Sequence, residues 1–483
     1  MSSRPRTLVW FRGKDLRLDD HAPLAFALAR GDVVPLFVLD PYFFAPERAR
    51  RLPHRMQFLL ESLAALAMDI EQKGSRLLVV AGKSVEVVPE LVRRLRIDHV
   101  VGERWCEPVG RRRDRLVAEA LRVPFELLEG ETLCPPGALR NQEGKPYSVF
   151  TAFARAFAVR GVEGEPLDAP ARLPAPPRDV DVETVPIPTC EELGIARNPR
   201  ILPAGETAAK ARLGAFIAGP AARYDELRDR LDLDATSRLS VDLKFGTLSP
   251  RRVWHAVRRA LARSPKAWTS FANELVWREF THSTLWDFPH VLREPYRPAW
   301  AAFPWRDDEA GFRAWASGTT GYPVVDAAAR QLASVGFVPN RARMIAASFL
   351  TKHLLVDYRR GEAHYLELLT DGDFANNNAG WQWSAGCGQD AQPYFRVFNP
   401  TTQGKKFDPD GDYVRRWVPE LAQLPAAYIH CPSEAPPNVL GRAGVTLGTT
   451  YPRPIVDHAE ARARFLAVAE SAVGPAGRGR ARP

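Results

Sequence analysis

From Thr7 to about Gly130 the sequence alternates short apolar, β-branched runs with longer runs whose apolar residues recur every three or four positions. TLVWF, VVPLFVL, RLLVVAG, IDHVVG and VPFELLEG have the length and composition of strands. APLAFALAR, RMQFLLESLAALAMDIEQ, VEVVPELVRRL and RRRDRLVAEALR lie among them with helical periodicity. Strands that are apolar throughout, each followed by a helix, require a parallel sheet covered on both faces. Residues 1–134 are therefore predicted to form an α/β domain with a doubly wound parallel sheet.

The loop after the first strand reads Arg12-Gly13-Lys14-Asp15-Leu16-Arg17 and holds neither GxGxxG nor GxxxxGK[ST], so the usual dinucleotide and P-loop sites lose their support. Between about Glu163 and Pro203 prolines recur too often for a helix or a central strand. The stretch 135–204 is predicted to be a Pro-rich linker wrapped between two domains. Beyond Ala204 the period becomes 3.6 residues and holds through SPRRVWHAVRRALA, SFANELVWREFTHSTLW, AGFRAWASG, YPVVDAAARQLASVG and NRARMIAASFLTKHLLVDYRRGEAHYLELL. This predicts a large all-α domain over 205–476 and a disordered tail over 477–483. Lys and Arg number 66 against 57 Asp and Glu, and the formal charge of +9 favours a polyanionic partner. Five cysteines without a CxxC pair argue against a disulfide framework or a structural zinc site and suit a reducing compartment. No apolar stretch approaches the roughly 20 residues of a membrane helix and no secretory h-region is present, so a cytoplasmic protein is expected.

Ten of the twelve tryptophans lie at or beyond Trp254. Core packing accounts for any one of them, and only their polar companions set a few apart. In NELVWREFT, Glu274, Trp277, Arg278 and Thr281 share one helix face. That stripe suits either a solvated face or a cavity wall that stacks a flat ring and bonds its polar edges. Asn340, Arg343 and Met344 share a face of PNRARMIAASFL. Arg343 is placed to pair with a buried acid, and Arg341, pointing elsewhere, to meet phosphate. The segment Asp371 to Asp408 holds DGD, three consecutive asparagines and two tryptophans. A turn entering a helix near Gly380 is expected, with Trp381 and Trp383 directed nearly oppositely. So many amides need partners, which favours a polar cavity over an apolar core. In ATSRLSVDLKFGTLSPR the hydroxyls of Thr236, Ser237 and Ser240 beside Arg238 suit a diphosphate cradle, although ST-turns and helix caps use the same residues.

WFRGKDLRLDDH, TSRLSVDLKFGTLSPR, NELVWREF, GYPVVDAAARQL, NRARMIAASFL, and DGDFANNNAGWQW running into DAQPYFRVFNPTTQGKKFDPDGDYVRRWVPEL occur in that order through nearly the whole chain. Together they resemble the photolyase/cryptochrome family, most of all class I cyclobutane pyrimidine dimer photolyases. The resemblance implies noncovalent FAD in the helical domain and light-driven DNA repair. In that reaction photoexcited, reduced anionic flavin lends an electron to the dimer, two cyclobutane bonds open, and the electron returns. Tyr224, Thr236, Ser237, Arg238, Leu239, Ser240, Phe271, Arg278, Asp371, Gly372 and Asp373 match the family's FAD contacts. Arg343 matches the partner of Asp371, and Asn377 the residue facing flavin N5. Glu274, Trp277, Asn340, Met344 and Trp383 match the lesion-pocket wall. Glu274, Trp277, Met344, Asn377 and Trp383 form the implied catalytic set. Arg228, Arg341 and Gln403 match DNA-contacting positions, and Thr281 is taken with them.

Photoreduction in the family uses three tryptophans. Trp381 and Trp305 match the inner and outer positions here, but Tyr358 stands between them. Tyrosine is harder to oxidise, so slow photoreduction is expected, or hopping diverted through Trp315, with repair unaffected once the flavin is reduced. The α/β domain is expected to hold a second chromophore, a folate, a deazaflavin or a flavin nucleotide, although Trp105 and Cys106 in ERWCEPVGRRRD depart from the folate pattern. The implied partner is UV-damaged DNA, its dimer extruded from the duplex at a cost of roughly a few kcal/mol. No metal, no membrane, no obligate protein partner and a monomer are expected. A cryptochrome photoreceptor and a six-four photolyase are the rivals. Asn377, where plant-type receptors carry an acid, and the short stretch after His458 favour the enzyme. Met344 in place of a histidine favours the cyclobutane lesion, and Trp383 separates the chain from DASH-type cryptochromes.

Overall fold

The β-branched runs form five strands, β1 (Arg6–Phe11), β2 (Asp32–Leu39), β3 (Leu78–Ala81), β4 (His99–Glu103) and β5 (Phe125–Leu128). All pair in parallel, in the order β3-β2-β1-β4-β5. Alternation along β1 sends Val9 and Phe11 to one face, where they pack with Phe37, Leu63 and Leu66. It sends Leu8 and Trp10 to the other, against Val34, Val88 and Val117. Helices Ala22–Leu28 and Pro53–Gln72 cover the first face, and Ser84–Arg94 and Pro108–Ala120 the second. The doubly wound expectation holds, with strand ends displaced by one or two residues. The chain runs outward from β1 to β2 and β3, then returns to β4 and β5, so the carboxyl ends of β1 and β4 flank the point where winding reverses.

The computed structural model describes residues 4–177 and 180–474; the predicted tail at 477–483 lies outside them. The chain divides into two compact units. The first runs to Asp225 and takes in Ser237–Pro289 and Thr370–Ala375; the second comprises Glu226–Thr236, His290–Leu369 and the chain from Asn376 on. Among the described residues 163–203 forms no helix or strand, as its prolines require. It is packed, however, and does not act as a spacer. Leu173, Cys190, Leu193, Ile195 and Ile201 join the same apolar cluster as Phe37 and Leu63, and the Val185 amide donates to the Val79 carbonyl at 2.9 Å. The predicted linker also contains a helix, Phe150–Arg160, whose Phe153 and Phe157 are buried with Phe280. Proline density rises only after that helix, and the part of the predicted linker that it occupies is regular, packed structure.

The second unit is helical. Glu309–Ser317, Pro323–Val335, Asn340–Ser348, Tyr358–Leu368, Pro400–Phe407 and His458–Val473 contribute to one apolar cluster containing Trp315, Phe349, Tyr365, Trp381 and Phe465. The periodic stretch 340–369 is not continuous. It widens into a π-helix at Phe349–His353, Leu355 takes φ +59°, and a new helix starts at Tyr358 with Asp357 as its cap. Leucine in the left-handed region is strained, and burial of Leu354, Leu355 and Val356 fixes it there.

Candidate functional site

In the first unit a single 23-residue helix, Pro265–Asp287, carries Phe271, Glu274, Trp277, Arg278 and Thr281. Its stripe is graded, with Glu274 and Trp277 half-buried and Arg278 and Thr281 buried. Trp277 lies flat on Phe150, ring centroids 3.8 Å apart and planes within 3° of parallel. One indole face is thus covered, and the opposite face is the one on which a further ring could stack. Thr281 Oγ1 donates to the Arg278 carbonyl at 2.9 Å, so this hydroxyl turns back into its own helix and the geometry lends its DNA assignment no support. Arg278 is drawn inward, its Nη1 and Nη2 donating to the carbonyls of Glu131 and Leu243. Tyr224 and Phe271 are buried edge to face at 5.4 Å. Ser237 Oγ accepts from the Leu239 amide at 3.4 Å, and Arg238 within that turn takes φ +52° before the Ser240–Phe245 helix begins. The turn thus uses one hydroxyl for its own geometry.

Arg278 borders a buried charge cluster that spacing could not reveal. Lys14 Nζ lies 2.8 Å from Glu107, pairs with Glu131, and is 3.7 Å from Asp373. Lys244 reaches Glu107 at 3.3 Å, and His282 Nε2 lies 3.6 Å from Glu131 and 3.8 Å from Asp373. Burial alone would favour a protonated Asp373. His282, Lys14 and Lys244 outweigh it and hold the carboxyl well below its ordinary range. Glu131, His282 and Asp373 bring ligand atoms within 4.8 Å of one another, and the Lys14 ammonium already supplies the positive charge there. A Cβ at Gly372 would meet the Arg55 guanidinium, so a larger residue between Asp371 and Asp373 would have to displace that side chain. Lys14 lies in the loop after the first strand, and its partners come from distant elements.

The helix expected near Gly380 begins at Phe374 and runs to Ala385, belonging to the second unit from Asn376 on. The three asparagines are therefore helical, not a turn. Asn377 is 8% exposed, and its Nδ2 donates to the Glu362 carbonyl at 3.0 Å. With the nitrogen fixed, the side-chain oxygen is the end left to accept. Asn378 donates to the Val291 carbonyl at 2.9 Å and to the Glu362 carboxyl at 3.0 and 3.2 Å. Gln382 donates to Asn378 Oδ1 at 3.2 Å and accepts from the Tyr296 amide at 2.7 Å. Burial lifts the Glu362 carboxyl to about 7 against the opposing hydrogen bond from Asn378. This net escaped sequence reading because Glu362 sat in an ordinary amphipathic helix.

Trp381 is buried against Tyr365 at 5.2 Å and Trp315 at 5.8 Å, both near perpendicular, while Trp383 is half-buried. Trp305 and Tyr358 meet at 6.4 Å. The buried Tyr358 hydroxyl makes no hydrogen bond among the described residues. Oxidising a phenol releases its proton, so a hydroxyl without an acceptor is a poor relay. Asn340 donates to Met344 Sδ at 3.8 Å, which places both on one face as expected, and Arg343 Nε donates to the Val338 carbonyl at 2.7 Å. Arg341 is not free for phosphate: it pairs with Asp229 at 2.6 Å and lies over the Phe407 ring at 4.4 Å. Gln403 is half-buried, and its Oε1 lacks a partner among the described residues. Thr236 and Arg228 are half-buried as well.

The chain thus pairs an α/β unit built on a five-stranded parallel sheet with a helical unit that holds a fixed neutral amide and a buried aromatic array. Residues 7–175 match the family described as DNA photolyase, and residues 271–471 match the FAD binding domain of DNA photolyase. The chain belongs to the DNA photolyase family. It is 42% identical over 470 residues to the deoxyribodipyrimidine photo-lyase of Agrobacterium fabrum, covering 95% of this chain and 96% of that one. A bacterial class III photolyase from Agrobacterium tumefaciens matches with a TM-score of 0.88 at 40% identity over 98% of both chains. The cryptochrome of Synechocystis sp. PCC6803 has the same TM-score at 31% identity, covering 97% of this chain and all of that one. Family, fold class and the FAD-binding domain thus agree with the sequence reading, whereas the narrower likeness to class I is not singled out. Among the described residues no helix is long and apolar enough to cross a membrane.

Proposed function

We propose that this chain is a deoxyribodipyrimidine photo-lyase, a carbon–carbon lyase that splits cyclobutane pyrimidine dimers in damaged DNA under blue or near-ultraviolet light. Similarity at 42% identity over 95% of the chain to an enzyme of that name supports the reaction, and the observation that carries the reading at residue level is the anchored Asn377. Bound and reduced, FAD supplies the electron that opens the dimer after excitation and recovers it, with no net redox change. Asn377 offers a neutral carbonyl acceptor, suited to the N5–H of a reduced ring, and adds no charge that would oppose an anionic one. Tyr224, Thr236 to Ser240, Phe271, Arg278, Arg343 and Asp371 to Asp373 are proposed to hold the cofactor. Among them Arg278, tied to two carbonyls, and Asp373, kept ionised by its cationic neighbours, are rigid charges that need no rearrangement on binding.

Glu274 is proposed to bond the thymine edges, and Trp277, stiffened by Phe150, to stack the extruded dimer together with Trp383. Asn340 and Met344 complete the wall. Arg228, Arg341 and Gln403 contact DNA, with Arg341 exchanging Asp229 for phosphate. The electron for photoreduction would come through Trp381, which Trp315 is placed to refill in preference to Tyr358, whose proton has no acceptor. The protein is proposed to act in the cytoplasm as a monomer with no obligate protein partner. The resemblance implies a second chromophore, whether folate, deazaflavin or flavin nucleotide, and at the sheet's reversal point the buried Trp105 indole takes up space that its ring would need. The test is to incubate reduced holoprotein with oligonucleotides carrying one cyclobutane dimer or one six-four product, dark and illuminated. Thymines restored only in the light and only from the cyclobutane lesion are expected. Binding without restoration would favour the receptor reading, which the Synechocystis likeness keeps in view.

A further inference from the structure

An open parallel sheet takes its ligand in the crevice outside the carboxyl ends of its strands, where the winding reverses. In the first unit that crevice lies at the ends of β1 and β4, bordered by the loops Arg12–Arg17 and Arg104–Glu107. Trp105, 5% exposed, is packed into it. The Arg113 guanidinium lies 4.5 Å from the indole centre, Lys14 5.3 Å and Arg12 5.6 Å, with Phe43 at 6.4 Å edge-on. A Cβ at Gly110 would come within 2.6 Å of the indole Cε3, so the helix beginning at Pro108 approaches the ring as closely as glycine allows. The three cations are tied to chain carboxylates, Arg12 and Arg113 to Asp114 at 2.6 and 2.9 Å and Lys14 to Glu107 at 2.8 Å.

We infer that Trp105 is the permanent occupant of this crevice, standing where the ring of a second chromophore would lie, so that no light-harvesting ring binds there. This rests on the photolyase reading in one respect only, that the family implies a second chromophore. The residues around the indole also define what its removal would admit. Arg12 Nε and Nη2 and Trp105 Nε1 have no hydrogen-bond partner among the described residues. Without the indole, unused guanidinium donors and stacked cations would face an empty slot of planar shape. That chemistry suits a flat anionic ring system such as flavin mononucleotide.

The experiment titrates FAD-loaded protein with flavin mononucleotide, followed by quenching of the added fluorescence and by equilibrium dialysis. Wild type is expected to take up none, and Trp105→Gly to take up a stoichiometric amount that is lost again when Arg12→Ala is added. Stoichiometric uptake by wild type overturns the inference, as does no uptake by a Trp105→Gly protein that keeps its FAD content and melting temperature. Should Trp105→Gly unfold, the wild-type arm and Trp105→Leu, which removes the ring but keeps apolar bulk, decide the matter on the same criteria. Dimer repair under light, measured on the same samples, separates the two readings. Its absence in every sample counts against the lyase and leaves the crevice result standing.

Discussion

Asn377 and Glu362 are a pair in which the Glu362 carbonyl fixes the amide that is proposed to face the flavin. Asn377→Asp puts a carboxyl where the proposed contact calls for a neutral acceptor. The fraction of flavin held fully reduced under a fixed dose of light and thiol should fall, and an unchanged fraction in the absorbance spectrum would contradict the role given to the amide. Glu362 makes a separate prediction through linkage. Burial raises its folded pKa to about 7 from an ordinary 4.5, so the folded chain binds that proton more tightly than the unfolded one. Stability therefore falls as pH rises through that window, by on the order of 3 kcal/mol. Glu362→Gln should flatten the fall when urea unfolding is followed from pH 4.5 to above 7, and an identical slope would show that the carboxyl titrates normally. Asn377 was legible in the sequence because a motif marks its position. Glu362 was not, because its contacts with Asn377 and Asn378 lie 15 and 16 residues away on a different helix.

At the level of elements, the strands were legible because a doubly covered strand leaves a continuous apolar run, and the helical half because its period is long and unbroken. The break at Leu355 was invisible, since burial of an apolar triplet there overrides local preference. The helix at Phe150–Arg160 was missed because prolines downstream set the tone for the whole stretch. Tyr358→Trp should speed photoreduction severalfold under steady illumination with thiol, and Trp315→Phe should slow it. No gain in the first would mean that Tyr358 already relays charge well. Gly361 sits where a Cβ would run into the Trp381 ring and Leu350. Gly361→Ala is expected to cost about 1–3 kcal/mol and to shift Trp381 fluorescence, whereas an unchanged melting temperature would show that the aromatic array yields easily.

For the molecule as a whole, the excess of nine positive charges predicts DNA affinity that falls linearly with the logarithm of salt concentration. Arg228→Ala should reduce that slope by about one. Arg341→Ala should reduce it by less than one, because Asp229 already offsets the charge; a full unit lost there would argue that the Asp229 pair opens at no cost. The division into two units was the least legible feature, since Ser237–Pro289 has helical periodicity yet clusters with the α/β unit. Periodicity reports secondary structure and not which core a helix joins. In the proposed reaction reduced flavin lends an electron to an extruded dimer. That step is tested most directly by the excited-state lifetime of the reduced flavin with and without DNA carrying one cyclobutane dimer. A lifetime clearly shortened by the dimer, and not by the same DNA after repair, is the expected result; equal lifetimes for the two, with binding confirmed, would contradict it.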